Sequence, residues 1–166
     1  MKSVSMKPMI VITVALMVIA IAASGQTPQA QQGAQSTNSG DILPKGVKTE
    51  NENFSGVVWV HMVMPADSMY DTQIASVTFE PGVRTKWHYH PSGQILLITS
   101  GTAYYQEKDK PKQILSKGDI AKCPPGVPHW HGAAPGGSMS HLAVSPNMKM
   151  GTVVWQEKVS DAEYNK

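Results

Sequence analysis

The histidine-rich residues 82–94 read Gly-Val-Arg-Thr-Lys-Trp-His-Tyr-His-Pro-Ser-Gly-Gln. His88 and His90 are two positions apart, so on a β-strand both side chains point to the same face. A Pro-Ser-Gly loop separates them from Gln94, whose amide oxygen can return to the same point as the next strand begins. The stretch predicts two imidazoles and one amide that converge on a common site.

A second histidine-rich stretch, residues 124–133, reads Pro-Pro-Gly-Val-Pro-His-Trp-His-Gly-Ala. His129 and His131 again share one strand face, and His141 follows on a later strand-like run. Taken singly, each piece has another interpretation, because a His-x-His strand is often a polar surface face and a histidine after proline is often a loop residue. Several imidazoles able to meet inside one small domain nevertheless suit a divalent first-row metal.

Short β-branched and aromatic runs, separated by Gly, Pro, Asn and Asp, fill the chain from residue 41 onward. Their frequency predicts an all-β sandwich or barrel. The Ser100-Gly101 step between two such runs predicts a tight hairpin. No helical periodicity of useful length follows residue 40. The expected strands are 57–63, 73–80, 84–90, 94–99, 102–106, 113–115, 119–122, 129–132, 139–144 and 152–157.

The first 25 residues are typical of a signal peptide, with a short basic start, an apolar run and then Ala-Ser-Gly before Gln26. An uncleaved anchor is the alternative interpretation, although the apolar run is shorter than the ~20 residues of a usual spanning helix. Residues 26–40 lack large apolar side chains and predict a disordered polar tether. We therefore expect an exported protein, periplasmic or secreted, whose folded domain is residues 41–166.

Charge and cysteine usage narrow the possible partners. Without Lys2 and Lys7, which lie in the signal segment, the chain carries 12 basic and 12 acidic residues. No basic cluster remains to follow a phosphate backbone, so we expect no nucleic-acid partner, and no stable membrane partner after signal cleavage. Cys123 is the only cysteine, so no internal disulfide is available and the fold depends on its core.

The spacing of both histidine stretches resembles that of the cupin family. The family's first motif is Gly, five residues, His-x-His, three or four residues, Glu, six residues, Gly, and Gln94 stands here in the Glu position. The second motif is Gly, five residues, Pro-x-Gly, two residues, His, three residues, Asn, and it begins here at Gly118. The two motifs run from Gly82 to Ala133, which replaces the Asn. The resemblance implies a single jelly-roll barrel, the double-stranded β-helix of the cupins.

A finer resemblance, carried by residues 84–94, 124–133 and 139–143, is to small bacterial cupins that include manganese-dependent hydroxynitrile lyases. It implies one bound divalent metal ion, with manganese favoured and zinc, iron or nickel as alternatives. It also implies a homodimer or homotetramer. Carried over by position, the implied metal ligands are His88, His90, Gln94 and His129.

The same resemblance implies reversible cleavage of a cyanohydrin, a small-molecule substrate, into an aldehyde or ketone and cyanide. His131 and His141 become cavity groups and candidate general bases, and His141 is favoured because its strand enters the site from another direction. Lys122 is a further candidate donor that would steady the departing cyanide.

Two other functions remain open at this point. One is a dioxygenase of the quercetinase kind, against which Gln94 counts, because a site without an anionic ligand stabilises the oxidised metal less. The other is a non-enzymatic periplasmic module that binds a small ligand. Oxygen uptake tests the first of these.

Strand alternation also indicates which residues face the cavity. Trp87 and Trp130 adjoin histidines that face the metal, so they should face away from it, as outer-face or subunit-interface residues. The apolar candidates for the cavity wall are Ala75, Val77, Leu97 and Met139.

Overall fold

The computed structural model describes residues 43–166, and the predicted signal peptide and tether lie outside this range. Eleven strands and two short helical segments make up the described chain. No helix within residues 43–166 is long and apolar enough to cross a membrane. The strands are β1 Val47–Thr49, β2 Val58–Met64, β3 Thr72–Phe79, β4 His88–Tyr89, β5 Gln94–Ser100, β6 Thr102–Glu107, β7 Gln113–Ser116, β8 Ile120–Cys123, β9 His129–Ala133, β10 Met139–Pro146 and β11 Val154–Trp155; a 3-10 helix spans Met148–Met150 and α1 spans Asp161–Asn165.

The strands form two antiparallel sheets that face each other. One sheet has the order β1-β2-β3-β10-β5-β8, and the other has the order β11-β4-β9-β6-β7. Neighbours in the sheets are mostly distant in sequence, as β3 and β10 are, which is the topology of a jelly roll. The all-β jelly-roll prediction is confirmed.

The Ser100-Gly101 step is not the predicted hairpin. Strand β5 pairs with β10 and β8, whereas β6 pairs with β9 and β7, so the chain changes sheets at this corner. Gly101 has φ 70°, and a Cβ there would lie 2.1 Å from the carbonyl oxygen of Ser138. Glycine is therefore needed here because two backbone segments cross closely. In the sequence, a Ser-Gly step looks the same at such a crossing as it does in a hairpin turn.

The predicted strands 84–90 and 152–157 shorten to two residues each. Their backbones still pair irregularly, since Trp87 N donates to Glu157 O and Gln156 N donates to Trp87 O. Strand β1 and helix α1 were not predicted. Helix α1 is too short to show periodicity, but Ser160 and Glu163 form a capping box that marks its start.

The core fills the barrel at one end and leaves the other end to the histidines. Val58, Phe79, Ile98 and Met139 pack together with alanines of β6 and β9 in one layer across both sheets. Pairing of Met139 with Phe79 places His141 and Val77 in the next layer along the barrel. The packed layer therefore forms the floor on which the histidine site stands.

Trp87 and Trp130 face outward from the second sheet, as predicted. They are buried under the chain's own C-terminal residues Val159 and Tyr164, so this surface is internal to the chain. Trp130 Nε1 donates to Gln106 Oε1 at 3.0 Å, which satisfies the indole of this fully buried side chain.

Candidate metal centre

Three imidazoles meet where β4 lies beside β9. His88 and His129 are cross-strand partners with ring centroids 4.4 Å apart. The His90 ring centroid lies 5.3 Å from that of His88 and 5.7 Å from that of His129, and all three side chains are buried. The predicted convergence of the His-x-His pair with His129 is therefore present.

Each of these rings is oriented by a backbone carbonyl at Nδ1. The acceptors are Lys86 O at 2.9 Å for His88, Thr152 O at 2.6 Å for His90, and Val127 O at 3.0 Å for His129. A neutral imidazole that donates from Nδ1 carries its lone pair on Nε2. The Nε2 atoms of His90 and His129 are buried without a hydrogen-bond partner. This arrangement presents ligand atoms and holds them in place.

Gln94, at the start of β5, lines the same cavity as His88 and His90. Its Nε2 donates to Ser145 Oγ at 3.2 Å, across from β10, and both side chains are buried. Its Oε1 is buried and has no hydrogen-bond partner. Because the amide nitrogen is committed to Ser145, the oxygen is the atom that remains for a metal ion.

His131 and His141 lie one layer deeper, against the floor of the site. Their ring centroids are 5.0 Å apart, and Phe79 packs against both at 5.6 and 5.7 Å. The Nδ1 of His131 and both ring nitrogens of His141 are buried without a hydrogen-bond partner. These nitrogens lie between the Phe79 ring and the neighbouring imidazoles.

Two overlapping donor sets follow from these contacts. The atoms closest together belong to His88, His129 and His131, whose ligand nitrogens all lie within 4.8 Å of one another. The hydrogen-bond pattern points to His90, Gln94 and His129, because each has one side-chain nitrogen bonded within the protein and its other polar atom buried without a partner.

The donors fit a divalent metal ion. Neutral imidazole nitrogens suit zinc, iron, nickel and manganese, and an amide oxygen suits the harder of these ions. Among the described residues, the buried side-chain atoms without a hydrogen-bond partner belong to four histidines, His90, His129, His131 and His141, and to Gln94 and Glu107. Burying this many polar atoms without hydrogen bonds is unfavourable unless another group, such as a metal ion, binds to them.

Burial keeps the imidazoles neutral. Desolvation lowers the pKa of His129 and of His141 from 6.5 to about 4, and it also lowers the pKa of His90. It lowers the pKa of His88 and of His131 well below 6.5, with a further contribution from the neighbouring imidazoles. Near neutral pH the rings therefore offer lone pairs for metal binding and for accepting a proton.

A cavity of about 260 Å³ opens onto Gln94 and onto four of the five histidines, His88, His90, His131 and His141. Ala75 and Val77 of β3 line it, as predicted, while aromatic rings of Phe54, Phe79 and Trp155 form much of the remaining wall. Larger grooves of about 770 and 450 Å³ lie elsewhere on the surface. Only the 260 Å³ cavity has unpartnered buried donors in its lining, among residues that the structure describes.

Three sequence predictions about the cavity need correction. Lys122 is exposed on β8, between the buried Ala121 and Cys123, so its side chain lies on the outer face and not among the histidines. Leu97 faces the outer groove on β5, and Met139 packs in the floor instead of the wall. The errors for Lys122 and Leu97 concern which side of a strand faces inward, whereas Met139 faces inward but lies in the layer below the cavity.

Other site residues were not found from the sequence. Ser145 orients Gln94, Thr152 orients His90, and Trp155 lies 4.8 Å from His88 by ring centroids. All come from the last third of the chain. The even spacing of Met139, His141, Ala143 and Ser145 on β10 is a signal that places Ser145 on the cavity face.

Comparison with known proteins agrees with the cupin resemblance of the two histidine motifs. Residues 75–145 match the family model described as the cupin domain. The (R)-mandelonitrile lyase of Granulicella tundricola is 40% identical over 113 residues, which are 68% of this chain and 86% of that protein. The chain belongs to the cupin family. Among solved structures, this cupin is similar to a cupin-like protein from Thermotoga maritima MSB8, with 44% identity, a TM-score of 0.73, and coverage of 75% of this chain and 95% of that one.

A more distant likeness is to the DMSP lyase DddQ of Ruegeria pomeroyi DSS-3. It has 17% identity and a TM-score of 0.57, covering 72% of this cupin and 61% of that chain. At this distance the likeness supports the fold alone.

Proposed function

We propose that this cupin is a metal-dependent lyase of the hydroxynitrile-lyase type, which cleaves or forms cyanohydrins. The observation that carries the proposal is the pair His131 and His141, buried and unpartnered in an apolar cavity beside the ligand set. The 40% identical relative named as a mandelonitrile lyase supports the same reaction class. We propose manganese as the ion, with zinc, iron or nickel as alternatives.

A divalent ion bound by His88, His90, Gln94 and His129 would supply Lewis-acid chemistry, the polarisation of an oxygen atom. The chain's own residues account for the movement of the proton. A ring nitrogen of His141 accepts the hydroxyl proton of the cyanohydrin. Burial lowers the pKa of His141 to about 4, which keeps the ring neutral near pH 7 and so able to take up a proton. The carbon–cyanide bond then breaks with its electron pair on cyanide, and the carbon–oxygen bond becomes a carbonyl.

The departing cyanide takes a proton to leave as hydrogen cyanide. His141 returns the proton it accepted, and the adjacent His131 is the second group able to exchange it, because their ring centroids are 5.0 Å apart. Since burial disfavours charged imidazolium at both positions, the proton is held only briefly. This makes His141 a reversible base, as a lyase working in both directions requires.

The cavity favours a compact aromatic or aliphatic substrate. Its volume of about 260 Å³ is below the usual range for drug-sized ligands. Phe54, Phe79 and Trp155 offer ring surfaces to a substrate, while the alanine and valine of β3 leave room for it. Aryl cyanohydrins such as mandelonitrile match this size and lining.

The test is release of benzaldehyde from (R)- and (S)-mandelonitrile, followed by absorbance. The metal-stripped protein is assayed after restoring manganese, zinc, iron or nickel separately. We expect activity with at least one ion, and a loss of about 10²–10⁴-fold in His141→Gln with metal still bound. The matched control is His61→Gln, which removes a histidine outside the cavity and should keep the parent rate. If benzaldehyde is released no faster than in buffer with every ion, the lyase proposal is refuted. Oxygen uptake by the metal-loaded protein would favour the dioxygenase instead.

A further inference from the structure

Glu107 is a buried carboxylate that the proposed reaction does not use. It is the last residue of β6 and the one acidic side chain among the buried residues of the described chain, at 7% exposure. Alternate β6 residues face the barrel interior, and Glu107 pairs directly with His129 on β9. Cross-strand partners on one face have Cβ atoms about 5 Å apart. The carboxylate is therefore held next to a predicted metal ligand.

Glu107 contacts one residue on the side of the candidate metal centre and one residue on the solvent side. Tyr105 donates its hydroxyl to Glu107 Oε1 at 3.3 Å, and the Tyr105 ring lies 5.8 Å from that of His129 by centroids. On the other side, Lys110 Nζ lies 2.5 Å from Oε2 as an ion pair, although Oε2 has no partner with hydrogen-bond geometry. The Lys110 side chain is 60% exposed, so solvent screens much of its charge.

The charges inside the barrel do not balance without an anion. The four candidate ligands are three neutral imidazoles and an amide, and they leave the full charge of a divalent ion uncompensated. Burying an uncompensated charge is unfavourable, and so is burying a carboxylate. The ion and the carboxylate, placed in one interior, offset each other.

We propose that Glu107 is the counter-charge of the metal site: its carboxylate, positioned by Tyr105 behind His129, increases metal affinity without being a ligand. This inference rests on the metal centre of the proposed function but not on the lyase reaction. Glu107 thus acts on the site through its charge, from the cross-strand position beside His129.

A purely structural role predicts different behaviour. Glu107 and Lys110 flank the turn between β6 and β7, where Lys110 N also donates to Glu107 O. If the carboxylate only anchors this turn, removing either member of the ion pair should have the same effect. If it is a counter-charge, Glu107 should matter for the metal and Lys110 should not.

The experiment measures the dissociation constants of Mn²⁺ and Zn²⁺ for the metal-stripped full chain, by competition with a chelating indicator at fixed pH and ionic strength. Urea unfolding of the metal-free protein is measured in parallel. We expect Glu107→Gln, which keeps the size and polarity of the side chain, to weaken metal binding by about 10- to 100-fold. The matched control Lys110→Gln should stay within about fivefold of the parent.

A rescue variant separates charge from structure. Gln94→Glu places a carboxylate within the ligand set itself, so the double variant Gln94→Glu/Glu107→Gln should recover the parent affinity or exceed it. If Glu107→Gln does not fold, recovery of folding and metal binding in the double variant supports the counter-charge, and failure to recover overturns it.

Equal affinities in parent and Glu107→Gln would overturn the proposal. So would equal losses in Glu107→Gln and Lys110→Gln with lower stability of the metal-free protein, which identify a turn anchor. A parent protein that binds no metal removes the metal centre and this inference together. A parent that binds metal but releases no benzaldehyde refutes only the lyase.

Discussion

Replacing His141 with phenylalanine tests whether the deep histidines are neutral in the folded protein. His141 is 1% exposed and packs between Phe79 and His131. Burial lowers the pKa of His141 from 6.5 to about 4. Phenylalanine fits the same apolar environment but cannot be protonated, so His141→Phe removes one titration from the folding equilibrium.

The sign follows from which state binds the proton. Below pH 6.5 the unfolded chain protonates His141 while the folded chain does not, so the stability that depends on His141 is present above pH 6.5 and is lost as the pH falls toward 4. The lowered pKa of His141 corresponds to about 3 kcal/mol in the free energy of unfolding, and about 2 kcal/mol of this is lost between pH 7.5 and pH 5. His129, with a pKa of about 4, contributes in the same direction.

The assay is urea unfolding of the metal-stripped protein at pH 7.5 and pH 5. We expect His141→Phe to lose about 2 kcal/mol less unfolding free energy than the parent over this interval. His61→Gln is the control, because it retains all five histidines of the candidate site and should keep the pH dependence of the parent. If His141→Phe and the parent lose the same free energy, His141 is not a buried neutral base and the proposed proton acceptor is wrong.

Three further substitutions have definite expected outcomes. Lys122→Ala should change cyanohydrin cleavage by less than about twofold and the free energy of unfolding by less than about 0.5 kcal/mol, since Lys122 is exposed on the outer face of β8; a large loss of rate would return it to the site. Ser145→Ala removes the acceptor that orients Gln94 Nε2, so the Mn²⁺ dissociation constant should rise about tenfold or more, and an unchanged constant would contradict that orienting role. Ser160→Ala removes the hydroxyl that accepts from Glu163 N at the start of α1 and should lower the free energy of unfolding by about 1 kcal/mol in urea titrations, whereas an unchanged midpoint would show that the cap adds nothing.

Part of the candidate site was accessible from the sequence because strand alternation is a local rule. His88 and His90 share a face through their spacing alone, and Ala75 and Val77 reach the cavity for the same reason. The same rule, applied to the buried pair that flanks Lys122, would have placed that lysine outside.

The remaining site residues depend on long-range pairing. Thr152 and Trp155 reach the histidines because the C-terminal segment crosses back beside β4, and no local pattern encodes that crossing. Glu107 becomes significant only once β6 is paired with β9, because in sequence it is one charge in a run of charged residues. The change of sheets at Gly101 depends on a contact with residue 138 and is equally non-local.

The metal content of purified protein tests the central claim most directly. Elemental analysis of the parent, of His129→Ala and of Gln94→Ala, each loaded with excess Mn²⁺ and then dialysed, reports whether a single ion is retained per chain. We expect one ion in the parent, none in His129→Ala and a weakly held ion in Gln94→Ala, with benzaldehyde release following the metal content. Active parent protein that contains no metal, or a His129→Ala variant that retains it as firmly as the parent, would contradict the account.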